Sequence, residues 1–278
     1  EGTEIVYPNP GFPIYESVIR FSGATPVPMR LHESQGFSFS ADEVLALLTP
    51  RTRLLIINRP ANPTGGVVPK RELDKLVAGL GRFPDIAVMS DEIYGEMVYE
   101  GAHASMTVYP ELTDRLILLD GWSKTYAMTG WRLGYGVWPE ALFPHAERLA
   151  INCHSCVNAA AQHAGIAALT GPREPANRMV AAFTERRAYI VPALNALAGV
   201  RCATPGGAFY AFPNITDTGF NSRTMQSRLL DEAGVATVSG TSFGAFGDGY
   251  LRISYAASMD ALKEAVERIR DWLERNAK

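Results

Sequence analysis

Apolar residues fall in short, nearly continuous runs through the first half of the chain. Glu4–Tyr7, Pro26–Leu31, Arg53–Asn58, Ile86–Ser90, Leu116–Asp120 and Leu133–Trp138 are each rich in Val, Ile or Leu and bounded by Gly, Pro, Asn or Asp. Such runs predict buried strands. Between them, Ala41–Leu48 and Lys70–Gly79 carry a helical pattern, with Ser40 placed to cap the first and Pro69 to fix the start of the second. Apolar strands separated by helices imply a mostly parallel sheet sandwiched by helices, covered on both faces.

The pattern changes in the second half. Asn158–Leu169 is alanine-rich and helical, and Arg173–Ala198 gives a long helical stretch interrupted at Pro175 and Pro192. An extended segment (Ala208–Phe212), a helix (Ser222–Ala233), two strands (Val235–Ser239 and Leu251–Tyr255) and an amphipathic helix (Met259–Arg275) follow. This half reads as a smaller α+β domain. The boundary is expected near Gly171–Pro172, giving a large domain over 1–171 and a small one over 172–278.

The chain has 278 residues, 47% hydrophobic and 20% charged, with a formal net charge of −3. That balance is globular and gives no reason to expect a nucleic-acid or anionic-membrane partner. No apolar run is long enough to span a membrane. Three cysteines are an odd and sparse set, which points to a reducing, cytoplasmic setting. Cys153-His-Ser-Cys156 has no second metal-binding pair, and His32, His103, His145 and His163 are scattered, so no metal site is expected.

Candidate chemistry gathers where strands end. Lys124 lies in a turn rich in small residues after one strand, and Arg132 stands eight positions on, just before the next. A desolvated lysine becomes a nucleophile toward carbonyls, and an arginine fork suits a phosphate. Alone, the pair reads equally as two surface cations. Asn58-Arg-Pro-Ala-Asn-Pro-Thr-Gly-Gly66 marks a tight loop after a second strand, where a cis Asn62–Pro63 bond is expected. Asp91 and Tyr94 lie just past a third. Ligands in open α/β sheets gather outside the carboxyl ends of strands, so Asn62, Asp91, Tyr94 and Lys124 should share one edge.

These segments resemble the class I/II aminotransferases of pyridoxal-phosphate (PLP) fold type I. The resemblance rests on the Asn-Pro-Thr-Gly loop, the Asp91-x-x-Tyr94 pair, Ser123-Lys124 followed by Gly130-Trp-Arg132, and a late Arg252-Ile-Ser, all in the family's order. It implies PLP as cofactor, bound to Lys124 as a Schiff base, and a ping-pong transfer of an amino group from an amino acid to a 2-oxo acid. Lys124 would also move the proton. Asp91 would face the pyridine nitrogen, Tyr94 and Asn62 the phenolic oxygen, and Arg132 and Ser123 the phosphate. Phe12 would stack on the ring. Arg252, with Asn62, would meet the substrate carboxylate.

The resemblance implies a homodimer as well. It also implies that the large domain normally begins upstream, because Glu1 leads almost at once into a strand. Many relatives carry a phosphate-contacting serine where this chain has Gly121. Other readings stay open at this point. They are a PLP-dependent lyase, a racemase-like or amino-acid-activating relative, or an aminotransferase-like regulatory domain. A dinucleotide dehydrogenase is weakly suggested by the glycines from Gly244 to Gly249, which lack the strand–loop–helix order.

Overall fold

The computed structural model describes residues 2–276. Six strands form one sheet: β1 (Glu4–Asn9), β2 (Thr25–Arg30), β3 (Thr52–Asn58), β4 (Ala87–Asp91), β5 (Leu116–Gly121) and β6 (Gly134–Val137), in the order β2-β1-β3-β4-β5-β6. All neighbours run parallel except β5 and β6, which are antiparallel. The register sets Asn58 of β3 beside Asp91 of β4, and Asp91 beside Leu119 of β5. The tips of β3 and β4 therefore end level, β5 runs on to Gly121, and the loops leaving the three open on one edge.

Helices α2 (Ala41–Leu47) and α3 (Lys70–Leu80) cover one side of the sheet. Leu73, Leu76 and Leu80 of α3 bury against Leu55, Ile57 and Val88. Ser40 makes no capping bond, contrary to expectation. The Ala41 N–H donates instead to the Glu72 carboxylate of α3 at 2.9 Å, so a tertiary contact replaces the local cap. Two helices were not foreseen. In α1 (Ile14–Phe21) the apolar residues share one face, of which Tyr15 and Ile19 are buried while Ile14, Val18 and Phe21 are exposed. The helix α4 (Phe143–His154) buries no side chain fully.

Cover on both faces fails at β6, whose four residues are all exposed. A groove of about 1220 Å³ separates this strand from α4 and from α5 (Ala159–Thr170). Trp131, Trp138, Phe143 and Ile151 lie exposed around it.

The second half begins with α6 (Glu174–Asn195), which runs unbroken. Pro175 sits in its first turn, where no backbone donor is needed, and Pro192 lies in its last turn, where a single bond is lost. The strands β7 (Tyr210–Ala211), β8 (Val238–Ser239) and β9 (Leu251–Ser254) form a small antiparallel sheet in the order β7-β9-β8. It packs with α6, α7 (Ser222–Ala233) and α8 (Met259–Asn276) in a core that includes Ile190, Leu194, Leu229, Leu262 and Trp272. The two cores exchange residues. Tyr94 and Met97, beyond β4, belong to the second, while Phe212 and Phe243 belong to the first. That interleaving holds the small sheet over the strand tips.

Candidate active site

The loop after β3 is built by Asn58. Its side-chain oxygen accepts the Asn62 N–H at 3.0 Å, and its amide donates to the Asp91 carbonyl at 3.2 Å, tying two strand tips together. The Asn62–Pro63 bond is cis, as the turn reading expects, and so are Asn9–Pro10 and Arg59–Pro60. Gly65 has φ +68°, and a β-carbon there would lie 2.4 Å from Pro205 Cβ and 2.8 Å from the Gly207 oxygen. Only glycine suits both demands. The Gly65 carbonyl accepts N–H bonds from Gly206 and Gly207 at 2.9 and 3.0 Å, docking this loop on the segment that leads to Tyr210.

Past β4, Asp91 accepts the Tyr15 hydroxyl at 2.5 Å on one oxygen and the Ile93 N–H at 3.3 Å on the other. Burial raises its pKa, and these two hydrogen bonds oppose the rise. No guanidinium or ammonium among the described residues forms an ion pair with it. Tyr94 is buried, its hydroxyl 2.9 Å from that of Tyr210.

Past β5, the Lys124 Nζ lies 5.8 Å from the Tyr94 ring centre and 5.7 Å from that of Phe209. Burial lowers the pKa of this amine, and the positive charges of Arg252 and Arg132 lower it further, against the pull of Asp91. Arg132 has φ +55°, a left-handed conformation that costs a non-glycine residue about 1 kcal/mol, and its guanidinium donates to the Thr129 carbonyl at 3.0 Å. At Gly121 a β-carbon would lie 2.8 Å from Gly134 Cα and 2.9 Å from the Leu133 oxygen. The close pass of β6 thus excludes a serine there.

Arg252 of β9 is sandwiched by aromatic rings, its guanidinium carbon 4.6 Å from the Tyr210 centre and 4.9 Å from that of Phe243. One arm donates to Asn62 Oδ1 at 3.1 Å. Its Nε is buried with no hydrogen-bond partner, which a buried donor rarely tolerates.

A cavity of about 380 Å³ brings together Phe12, Asn62, Asp91, Tyr94, Ser123, Lys124, Arg132 and Arg252, every residue singled out from the sequence. Tyr15, Asn58, Asp120, Thr129 and Tyr210 line it too and were missed. Asn58 and Thr129 lie inside the segments singled out above, but no local motif marks Tyr15 or Tyr210. Tyr15 reaches Asp91 across 76 positions and Tyr210 meets Tyr94 across 116, so only the fold reveals them.

The donor set leaves complementary gaps. A carboxylate lacks a cation, a partly desolvated amine lacks an electrophile, and a buried guanidinium N–H lacks an acceptor. A protonated pyridine nitrogen, an aldehyde and a carboxylate would fill them in that order, so the residues fit PLP and an amino acid.

Comparison with known proteins agrees. The family model for aminotransferase class I and II matches residues 1–269. The chain is 38% identical over 284 residues to an aspartate aminotransferase of Geobacillus stearothermophilus, covering all of this chain and 72% of that protein. It is 39% identical over 277 residues to an aspartate aminotransferase of Pyrococcus horikoshii, covering 98% and 70%. Among solved structures, an aromatic aminotransferase of Pyrococcus horikoshii superimposes with a TM-score of 0.94 at 36% identity, over 99% of this chain and 74% of that one. The aspartate aminotransferase of Rhizobium meliloti gives 0.92 at 33%, over 99% and 71%. These relatives carry aminotransferase names, so the lyase and regulatory readings are not favoured. With sequence, fold and cavity in agreement, the chain belongs to the class I and II aminotransferases and is a PLP-dependent transaminase of amino acids.

Proposed function

We propose that Lys124 bonds covalently to PLP as a Schiff base and, once displaced by substrate, moves the substrate proton in a two-stage transfer from an amino acid to a 2-oxo acid. One observation carries this reading: the amine of Lys124 is held partly desolvated in a cavity it shares with Asp91, Arg132 and Arg252. Bound PLP supplies an electron-withdrawing ring that stabilises the charge left on Cα when its proton departs.

The chain's residues do the rest. Asp91, steadied by the Tyr15 hydroxyl, keeps the ring nitrogen protonated. Asn62 gives its side-chain oxygen to Arg252, which leaves its amide N–H free to donate to the phenolic oxygen beside Tyr94. Phe12 packs on the ring face, and Arg132 with Ser123 holds the phosphate. Arg252 binds the substrate carboxylate through its free Nε and fixes the Cα–H direction. The Lys124 Nζ, as a free amine, would take the proton from Cα and hand it on as general base and then acid.

The same reading places the PLP-binding unit in 1–171 and the unit that closes over substrate in 172–278, with the small sheet lying in the latter. It takes the working form as a homodimer, since aminotransferases are generally dimeric. It sets the protein in the cytoplasm, in keeping with three free cysteines. No described helix is long and apolar enough to cross a membrane.

The test is product analysis with an amino donor and a 2-oxo acceptor. The wild type should form a new amino acid without releasing ammonia, and Lys124→Ala should abolish turnover and hold PLP loosely. Full activity in that variant, or ammonia as the main product, would defeat the reading.

A further inference from the structure

Tyr210 has no part in the roles above, yet it lies buried in the wall of the same cavity. It pairs with Ser254 across β7 and β9, which leaves its ring beside Arg252, two residues back on the same face. The Arg252 guanidinium lies 4.6 Å from the ring centre. The Tyr210 hydroxyl is 2.9 Å from that of Tyr94 and makes no other hydrogen bond among the described residues.

Two phenols joined by one hydrogen bond have two protons, and the bond uses one of them. If Tyr94 donates, it has no proton left for the cavity and that of Tyr210 goes unused. If Tyr210 donates, Tyr94 keeps its proton free for an acceptor in the cavity, and both protons are engaged. The Arg252 cation packs on the Tyr210 ring at 4.6 Å, closer than Lys124 stands to the Tyr94 ring at 5.8 Å, which makes the Tyr210 phenol the better donor. An acceptor beside Tyr94 therefore selects the second arrangement.

We propose that Tyr210 is a positioning residue for the reaction, donating to Tyr94 Oη so that Tyr94 turns its own proton toward the phenolic oxygen of PLP. This rests on the reading of Lys124 and Tyr94 given above. The consequence is electronic as well as steric. Hydrogen bonds in a chain polarise one another by roughly 10–30% each. A stronger donor at the phenolic oxygen draws off the negative charge that helps hold a proton on the Schiff-base nitrogen of Lys124. That proton then leaves at lower pH.

The test is a pH titration of visible absorbance in the PLP-loaded protein, comparing wild type, Tyr94→Phe, Tyr210→Phe and the double variant. Tyr94→Phe should raise the midpoint most. Tyr210→Phe should raise it by about 0.3 pH, because a tenth to a third of a charge-assisted bond is lost. The double variant should match Tyr94→Phe alone. Fluorotyrosine at position 210, a stronger donor in an almost unchanged shape, should move the midpoint down and serves if Tyr210→Phe folds poorly. An unmoved midpoint in Tyr210→Phe and with fluorotyrosine, or a double variant that adds both shifts, overturns the proposal. If the wild type shows no Schiff-base band, the reading of Lys124 fails and this proposal with it. A normal wild-type titration with no response at Tyr210 removes the Tyr210 proposal alone.

Discussion

Replacing Arg252 by lysine keeps the charge and removes the fork. The guanidinium is seated between the Tyr210 and Phe243 rings, at 4.6 and 4.9 Å, with one arm on Asn62 Oδ1 and Nε free. A substrate carboxylate at the remaining donors would gain two charge-assisted bonds, each worth about 1.5–3 kcal/mol. Lysine supplies one at best and leaves Asn62 without its donor, at about 1 kcal/mol. The sum, about 2.5–4 kcal/mol, corresponds to a fall in kcat/KM for the amino acid of roughly 70- to 900-fold. The assay compares an amino acid with the amine of the same side chain that lacks the carboxylate. The amine has no carboxylate for Arg252 to bind, so it should lose only the smaller part that comes through Asn62. Unchanged kcat/KM for the acid, or equal losses for acid and amine, would refute the assignment.

Two further outcomes follow from the same geometry. Gly65→Ala must place a β-carbon 2.4 Å from Pro205 Cβ at φ +68°, so denaturant unfolding should show a loss above about 2 kcal/mol, with activity falling as the Asn62 loop shifts. Glu92, next to Asp91, is subject to burial that raises its pKa, but hydrogen bonds from His103, the Met106 N–H and Ser90 and the charge of Arg59 bring it down to about 2. A carboxylate held below its unfolded value stabilises the fold above pH 4.5 and loses that contribution as pH falls toward 2. Glu92→Gln should therefore cost on the order of 3 kcal/mol at pH 7, and the gap from wild type should narrow through that window. A pH-independent gap would show that lost packing is responsible.

Much of this was legible because buried strands write themselves as apolar runs closed by turn residues. The six strands of the large sheet sit within two residues of their expected ends. The site was legible for the related reason that chemistry stands in the turns, at Asn62, Asp91, Tyr94 and Lys124. What stayed hidden depends on long-range packing. Ser40 has the chemistry of a cap, but Glu72 arrives from another helix and takes the job. The apolar stripe of α1 is only 8 residues long, and nothing in it says that Tyr15 reaches Asp91. The empty Nε of Arg252 and the paired hydroxyls of Tyr94 and Tyr210 exist only once the small sheet lies over the strand tips. The glycine at 121 departs from the usual serine for a reason that the neighbouring strand supplies.

Borohydride reduction of the protein with PLP, followed by tryptic mapping, goes straight to the amine on which the chemistry depends. Reduction should fix the cofactor on one lysine and block cleavage there, so the label appears on a single peptide running from Leu116 to Arg132 with Lys124 uncut. A label on Lys70, Lys75, Lys263 or Lys278 instead, or no fixed label at all, would contradict the account.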